Sequence, residues 1–138
     1  MEKNKLMNPK IIVYTDGGSR GNPGPAAIGV VIGDKKYSKA IGKTTNNVAE
    51  YQAVIFALKK LKQLLGKKGI EENEIELRLD SELIAKQLNG QYKIKEKELQ
   101  PLFVEVWNLR LNFGDLHFAH IPREENKLAD KLVNQALG

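Results

Sequence analysis

The sequence predicts an α/β protein whose mixed five-stranded sheet joins a three-stranded antiparallel meander to two parallel strands, with helices on both faces. Three observations predict it. Apolar and β-branched runs come first, at Ile11–Thr15 and Ala26–Gly33, and Lys36–Lys43 reads as a third strand after a tight turn at Gly33-Asp34-Lys35, which is hairpin spacing. Helical periodicity takes over at Val48 and runs to about Leu65. Strands and helices then alternate, and such units pair in parallel. A length of 138 residues suits one domain with one core, taken as residues 1–138.

Met1 to Asn8 is polar and is expected to be a loose leader. Ile11 to Thr15 carries apolar or aromatic side chains on both faces, as a central strand does. Asp16 then falls where the strand leaves the sheet, and Gly17-Gly18-Ser19-Arg20-Gly21-Asn22-Pro23-Gly24-Pro25 follows. A strand rather than a helix comes after these glycines, which excludes a dinucleotide-binding fingerprint. In the first helix Ala53, Val54, Ala57, Leu58, Leu61, Leu64 and Leu65 form one stripe, and Gly66-Lys67-Lys68-Gly69 is expected to end it. Glu74–Asp80 is a strand with Ile75, Leu77 and Leu79 on one face, and Ser81–Leu88 a short helix stopped by Asn89-Gly90. Gln91–Gln100 is polar, with Lys93, Lys95 and Lys97 around Tyr92 and Ile94. Pro101–Phe113 is a helix, Asp115–Ile121 the last strand, and Glu125–Leu137 the final helix.

Composition narrows the function classes. Hydrophobic content of 41% and charged content of 28% are ordinary for a soluble globular chain. No run is long enough to span a membrane, and the first ten residues hold no apolar signal core. The absence of cysteine removes disulfides and thiolate metal sites, so a cytoplasmic protein is expected. A formal net charge of +5 favours polyanionic partners.

Four acids stand out by position. Asp16 and Asp80 each follow a strand, and parallel neighbouring strands would deliver both to one crevice. A backbone stripped of side chains at Gly17 and Gly18 lets a phosphate-bearing ligand approach. Glu50 falls near the middle of the apolar stripe of its helix, where an acid needs a partner such as a cation. Asp130 lies at the edge of the stripe of the last helix, beside Asn126 and Val133. Each has a plainer alternative: an Asp-Gly turn at Asp16, helix caps at Asp80 and at Asn47 with Glu50, and a solvated acid at Asp130. Carboxylates without paired His or Cys ligands describe a hard-cation site, and two Mg²⁺ ions there could drive phosphodiester hydrolysis.

The segments TDGGSRGNPGPAAIG, TTNNVAEYQA, LRLDSELIAKQLNG and HIPREENKLADKLVNQA resemble those of type 1 ribonuclease H, in that family's order and spacing across nearly the whole chain. The resemblance implies the ribonuclease H-like fold and a two-metal endonuclease that cuts the RNA strand of RNA–DNA hybrids, leaving 5′-phosphate and 3′-hydroxyl ends. It implies that Asp16, Glu50, Asp80 and Asp130 bind Mg²⁺, with Mn²⁺ as a substitute and two ions present once substrate binds. His120 matches the family's catalytic histidine. Asn22, Asn46 and Asn47 match positions that contact the hybrid, and Thr45 stands next to the phosphate-binding position.

The stretch Asn89–Gln100 is too short for the basic protrusion of many members, which points to the compact branch. Tyr92, Lys93 and Lys95 are the simpler candidates for holding the DNA strand. A monomer is expected, with no membrane partner. The alternatives are a nuclease of the same fold that also takes double-stranded RNA, and a non-catalytic nucleic-acid-binding module.

Overall fold

The fold is described from a computed structural model covering residues 9–138, so the leader Met1–Asn8 lies outside the described residues. Five strands and four helices follow in the order β1 (Ile11–Ser19), β2 (Gly24–Ile32), β3 (Lys35–Thr44), α1 (Asn46–Glu72), β4 (Glu74–Leu79), α2 (Glu82–Leu88), α3 (Gln100–Arg110), β5 (Asp115–His120) and α4 (Lys127–Leu137), with a 3₁₀ turn at Arg123–Glu125. The sheet runs β3-β2-β1-β4-β5. Its β1–β2 and β2–β3 pairs are antiparallel, and its β1–β4 and β4–β5 pairs are parallel. The predicted meander plus two parallel strands is therefore the observed sheet.

Alternation along β3 shows how the two faces are covered. Tyr37 packs edge-on against Phe56 of α1, with ring centroids 5.4 Å apart. Its neighbour Ser38 points the other way and donates its hydroxyl to the Leu132 carbonyl of α4. The predicted stripe of α1 closes the core as far as Leu61: Ala53, Val54, Ala57, Leu58 and Leu61 have no exposed surface, whereas Leu65 is only partly buried and Leu64 is 40% exposed. Ile75, Leu77 and Leu79 of β4 are as buried as the first five. Each such leucine or isoleucine contributes about 1.5–3 kcal/mol of apolar burial.

Two glycines let helix backbones approach the sheet where it matters for the site. A Cβ on Gly17 would sit 2.2 Å from the Ala49 carbonyl oxygen, so β1 touches the backbone of α1 one residue before Glu50. A Cβ on Gly29 would sit 2.2 Å from the Ala129 carbonyl oxygen, so β2 touches α4 one residue before Asp130.

Several boundaries differ from expectation, among them the end of α3 at Arg110 rather than Phe113 and the start of α4 at Lys127 rather than Glu125, and three bear on the site or on α1. β1 does not leave the sheet at Asp16, which pairs with Gly29, and the hairpin ladder continues to Ser19↔Ala26. Only the ladder toward β4 stops there, at Thr15↔Leu79. Helix α1 starts at Asn46 rather than Val48, because Thr45 supplies the cap by accepting the Val48 N–H at 3.2 Å. It does not end in the Gly66–Gly69 stretch either. Gly66 breaks the helix with φ 76°, and a further helical segment continues to Glu72, held by the burial of Ile70.

Candidate active site

The C-terminal side of Thr15 in β1, the end of β4 and the starts of α1 and α4 meet in a cleft of about 420 Å³. Asp16, Glu50, Asp80 and Asp130 all line it. Carboxylate oxygens of Asp16, Glu50 and Asp80 lie within 4.8 Å of one another. Asp16 is 8% exposed and Glu50 7%, whereas Asp130 is exposed on the first turn of α4. Asp130 is thus solvated, as its plainer alternative has it, although it also lines the cleft; the plainer alternatives for the other three acids do not describe what is seen. Asp16-Gly17 lies within a strand, Ser81 rather than Asp80 caps α2 by accepting the Ile84 N–H, and Thr45 rather than Asn47 caps α1.

Glu50 accepts the Gly17 N–H at 3.2 Å, a bond possible because α1 lies against β1 at that glycine. Asp80 is held from a different side. The Asn126 amide donates to its Oδ2 at 2.7 Å and to the Thr15 carbonyl at 2.9 Å. Asn126 is 1% exposed and directly precedes α4, and its own carbonyl accepts the Asp130 N–H at 3.1 Å. One buried residue, Asn126, thus ties together β1, the segment after β4 and α4, where Asp16, Asp80 and Asp130 lie, by its side-chain amide and its backbone carbonyl. Among the described residues its Oδ1, like Thr15 Oγ1, is buried without a hydrogen-bond partner.

Crowding acids in a buried corner has an electrostatic consequence. Burial, and then the charges of Asp80 and Asp130, push the Asp16 carboxyl up to about 8. Glu50 is held well above its ordinary value, by burial first and by Asp16 and Asp80 next, with the Gly17 N–H and Arg123 pulling the other way. Such a cluster fits a hard divalent cation, since its donors are all carboxylate oxygens and a cation relieves the repulsion.

The other candidates fall at the rim or beyond it. Gly17, Gly18 and Asn46 line the cleft, while Asn22, Thr45 and Asn47 do not. Asn46 and Asn22 brace the loop onto α1: Asn46 Oδ1 accepts the Ser19 N–H at 2.9 Å, and Asn22 Oδ1 accepts the Asn46 N–H at 2.9 Å. His120 is exposed at the end of β5, opposite Leu79 and thus one residue from Asp80 in register, and its charge acts on Glu82. His117 lies further back on the strand, 2.6 Å from Asp115 and 4.0 Å from Glu74. Tyr92, Lys93 and Lys95 line a separate groove with Leu83, Gln87 and Glu96, where Lys86 stands 5.0 Å from the Tyr92 ring centre. Sequence reasoning missed Arg123 and the role of Asn126. The one signal available for Asn126 was its place on the Asp130 side of the last helix.

Residues 14–136 match the reverse transcriptase-like family. LC11-RNase H1, isolated from compost, is 51% identical, with 92% of this chain and 94% of that one superposed at a TM-score of 0.86. The chain belongs to the ribonuclease H family. RNase H1 of the halophilic archaeon Halobacterium salinarum is 41% identical over 94% of this ribonuclease H chain and 98% of its own, with a TM-score of 0.84. A bifunctional protein of Mycobacterium tuberculosis is 36% identical over 135 residues, which are 93% of this chain but 35% of that protein. The chain thus spans about a third of the length of the first curated relatives it matches. As in the compact branch of the family, no helix lies between α2 and α3. No helix of the described residues is long and apolar enough to cross a membrane.

Proposed function

We propose that this ribonuclease H chain is an endoribonuclease that hydrolyses the RNA strand of RNA–DNA hybrids, leaving 5′-phosphate and 3′-hydroxyl ends. The observation that carries the proposal is the convergence on one cleft of four acids from β1, α1, the connection after β4 and α4, in a chain of this family. LC11-RNase H1, 50% identical over 91% of this chain, forms a complex with an RNA/DNA hybrid, which supports the substrate class.

Asp16, Glu50, Asp80 and Asp130 are the residues that would hold two Mg²⁺ ions, or Mn²⁺ in their place. Bound there, such ions activate a water and stabilise the leaving oxygen in phosphodiester hydrolysis. The chain's own residues do the rest. Gly18 keeps a side chain off the cleft wall so that a phosphate backbone reaches the acids, and Gly17, also on that wall, lets α1 come close enough to bring Glu50 to it. Asn126 holds Asp80 in place through its amide. Asn46, with Asn22 and Thr45 behind it, sets the rim at the start of α1, and Asn47 next to it supplies a short amide suited to a ribose 2′-hydroxyl. His120, beside Asp80 in the sheet, protonates the leaving 3′-oxygen or helps release the product. Tyr92, Lys93 and Lys95 take the DNA strand in their own groove. We take the protein to work as a monomer in the cytoplasm.

Incubating the protein with labelled hybrid, duplex RNA and duplex DNA in the presence of Mg²⁺ tests this directly. Cleavage of the RNA strand of the hybrid alone is the expected result. Equal cleavage of duplex RNA would replace it with the broader nuclease, and binding of all three without cleavage with a non-catalytic module.

A further inference from the structure

The net charge of +5 is not spread evenly, and it does not sit where the sequence first places it. Residues 91–100, the groove loop, carry three lysines against two glutamates, a net +1. Residues 35–70 carry nine lysines and one acid, leaving 13 basic and 16 acidic residues elsewhere, a net −3. That single acid is Glu50, buried in the acidic cleft. The surface made by β3 and by α1 as far as Ile70 is therefore basic without any exposed acid, acids returning only at Glu71 and Glu72 at the far end of α1, while the rest of the molecule is slightly acidic.

Two of these lysines converge. Lys39 on β3 and Lys60 on α1 both stand over the Phe56 ring, at 5.8 and 5.5 Å from its centre, and Lys60 stands 5.2 Å from the centre of Tyr37. Among the described residues neither forms an ion pair, unlike Lys59, which binds Glu105 at 3.0 Å. Aromatic faces hold the two ammonium groups in place without neutralising them. Lysines on an edge strand also guard it against pairing with other chains, and β3 is an edge strand. That role accounts for Lys35, Lys36, Lys39 and Lys43, but not for a helix lysine placed on the same ring pair.

Distance relates the patch to the cleft. Lys60 lies ten residues beyond Glu50 on the unbroken part of α1, about 15 Å along its axis. Lys39 lies five residues before Thr44, the last residue of β3, about 17 Å of strand. A stiff duplex seated in the cleft covers such a distance in about five base pairs.

We infer that the Lys39–Lys60 face is a second nucleic-acid contact, one that holds the phosphate backbone of the duplex beyond the segment being cut. It rests on the hybrid substrate proposed above, and it deepens that reading by making affinity depend on duplex length. The test measures binding of hybrids of about 8 and about 24 base pairs over a range of salt. It compares Asp80→Asn protein with and without Lys39→Gln and Lys60→Gln, so that nothing is cut. The double lysine change is expected to lower the slope of log affinity against log salt by about 1.8 for the long hybrid and to leave the short one unmoved. In the otherwise unaltered protein, turnover of the short hybrid should stay the same, with an unchanged melting temperature showing that the fold is intact. Charge reversal, Lys39→Glu with Lys60→Glu, should deepen the loss for the long hybrid. An unchanged slope on the long hybrid overturns the inference, as does an effect confined to self-association, which would leave edge protection as the role of these lysines. Failure of the unaltered protein to cut either hybrid would instead overturn the proposed activity.

Discussion

The acidic cleft and the groove beside Tyr92 lie on the same chain but are built by different rules. In the cleft, two of the four acids are nearly buried, and backbone contact at Gly17 and Gly29 and the Asn126 amide brace the elements that carry them. In the groove, Tyr92 is 48% exposed, and its neighbours come from a loop and one short helix. A site that crowds like charges needs rigid support, because each acid would otherwise move away from the others. A site that offers exposed cations and a ring to a solvated strand needs little. Changes in the cleft should therefore alter chemistry, and changes in the groove should alter affinity.

The sharpest way to break that contrast is Asp80→Asn. It keeps shape and hydrogen bonding but removes a charge from the cluster, so turnover should fall by roughly 10⁴-fold or more while hybrid binding persists or tightens. Near wild-type turnover would end the metal assignment. His120→Ala should cost less, roughly the 10²–10⁴-fold of an acid–base group, compared at equal folded fraction. His117→Ala should change stability and leave turnover alone. A fully active His120→Ala protein would remove that residue from the mechanism.

Asn126→Ala sharpens the comparison from the side of support, since all four acids remain. Releasing Asp80 and leaving the Thr15 carbonyl without its buried donor should lower the rate about 10-fold and raise the Mg²⁺ concentration needed for half-maximal activity. Lower stability with an unchanged Mg²⁺ requirement would mark Asn126 as structural only.

The crowding itself is readable without substrate. Asp16 is held at about 8 when folded against an ordinary value of 3.8. The folded state then binds the proton more tightly than the unfolded one, so stability of the metal-free protein falls as pH rises from about 4 to about 8. Mg²⁺ should recover it at pH 8, because the ion binds the folded cluster. Asp16→Asn should raise the metal-free melting temperature at pH 8 by roughly 3–10 °C. A melting temperature flat across this range would contradict the electrostatic account. The smallest effect belongs to the groove. Replacing Tyr92, Lys93 and Lys95 together by alanine should raise KM about 3- to 10-fold with kcat unchanged, and a fall in kcat would show that the groove aligns the substrate as well.

Most of the fold was legible in the chain because hydrophobic period and turn residues act locally. The alternation of Ile75, Leu77 and Leu79 and the stripe from Ala53 to Leu61 are properties of neighbouring residues, and the structure buries them as their spacing requires. Element ends were less legible, because tertiary contacts decide them. Pairing with β2 carries β1 past Asp16 to Ser19, and burial of Ile70 carries helix beyond the break at Gly66. The acids could be picked out one by one, since Glu50 on an apolar face and Asp80 after a strand are local anomalies. Their company could not. Burial that lifts Asp16 to about 8, Arg123 acting on Glu50, and the Asn126 amide reaching Thr15 and Asp80 all join residues far apart in the chain. By itself the sequence determined which residues favour strand, helix and turn, and which acids stand out of place. Only the tertiary structure decided which of them share a charge environment, because electrostatics and buried hydrogen bonds depend on distance in space and not on separation along the chain.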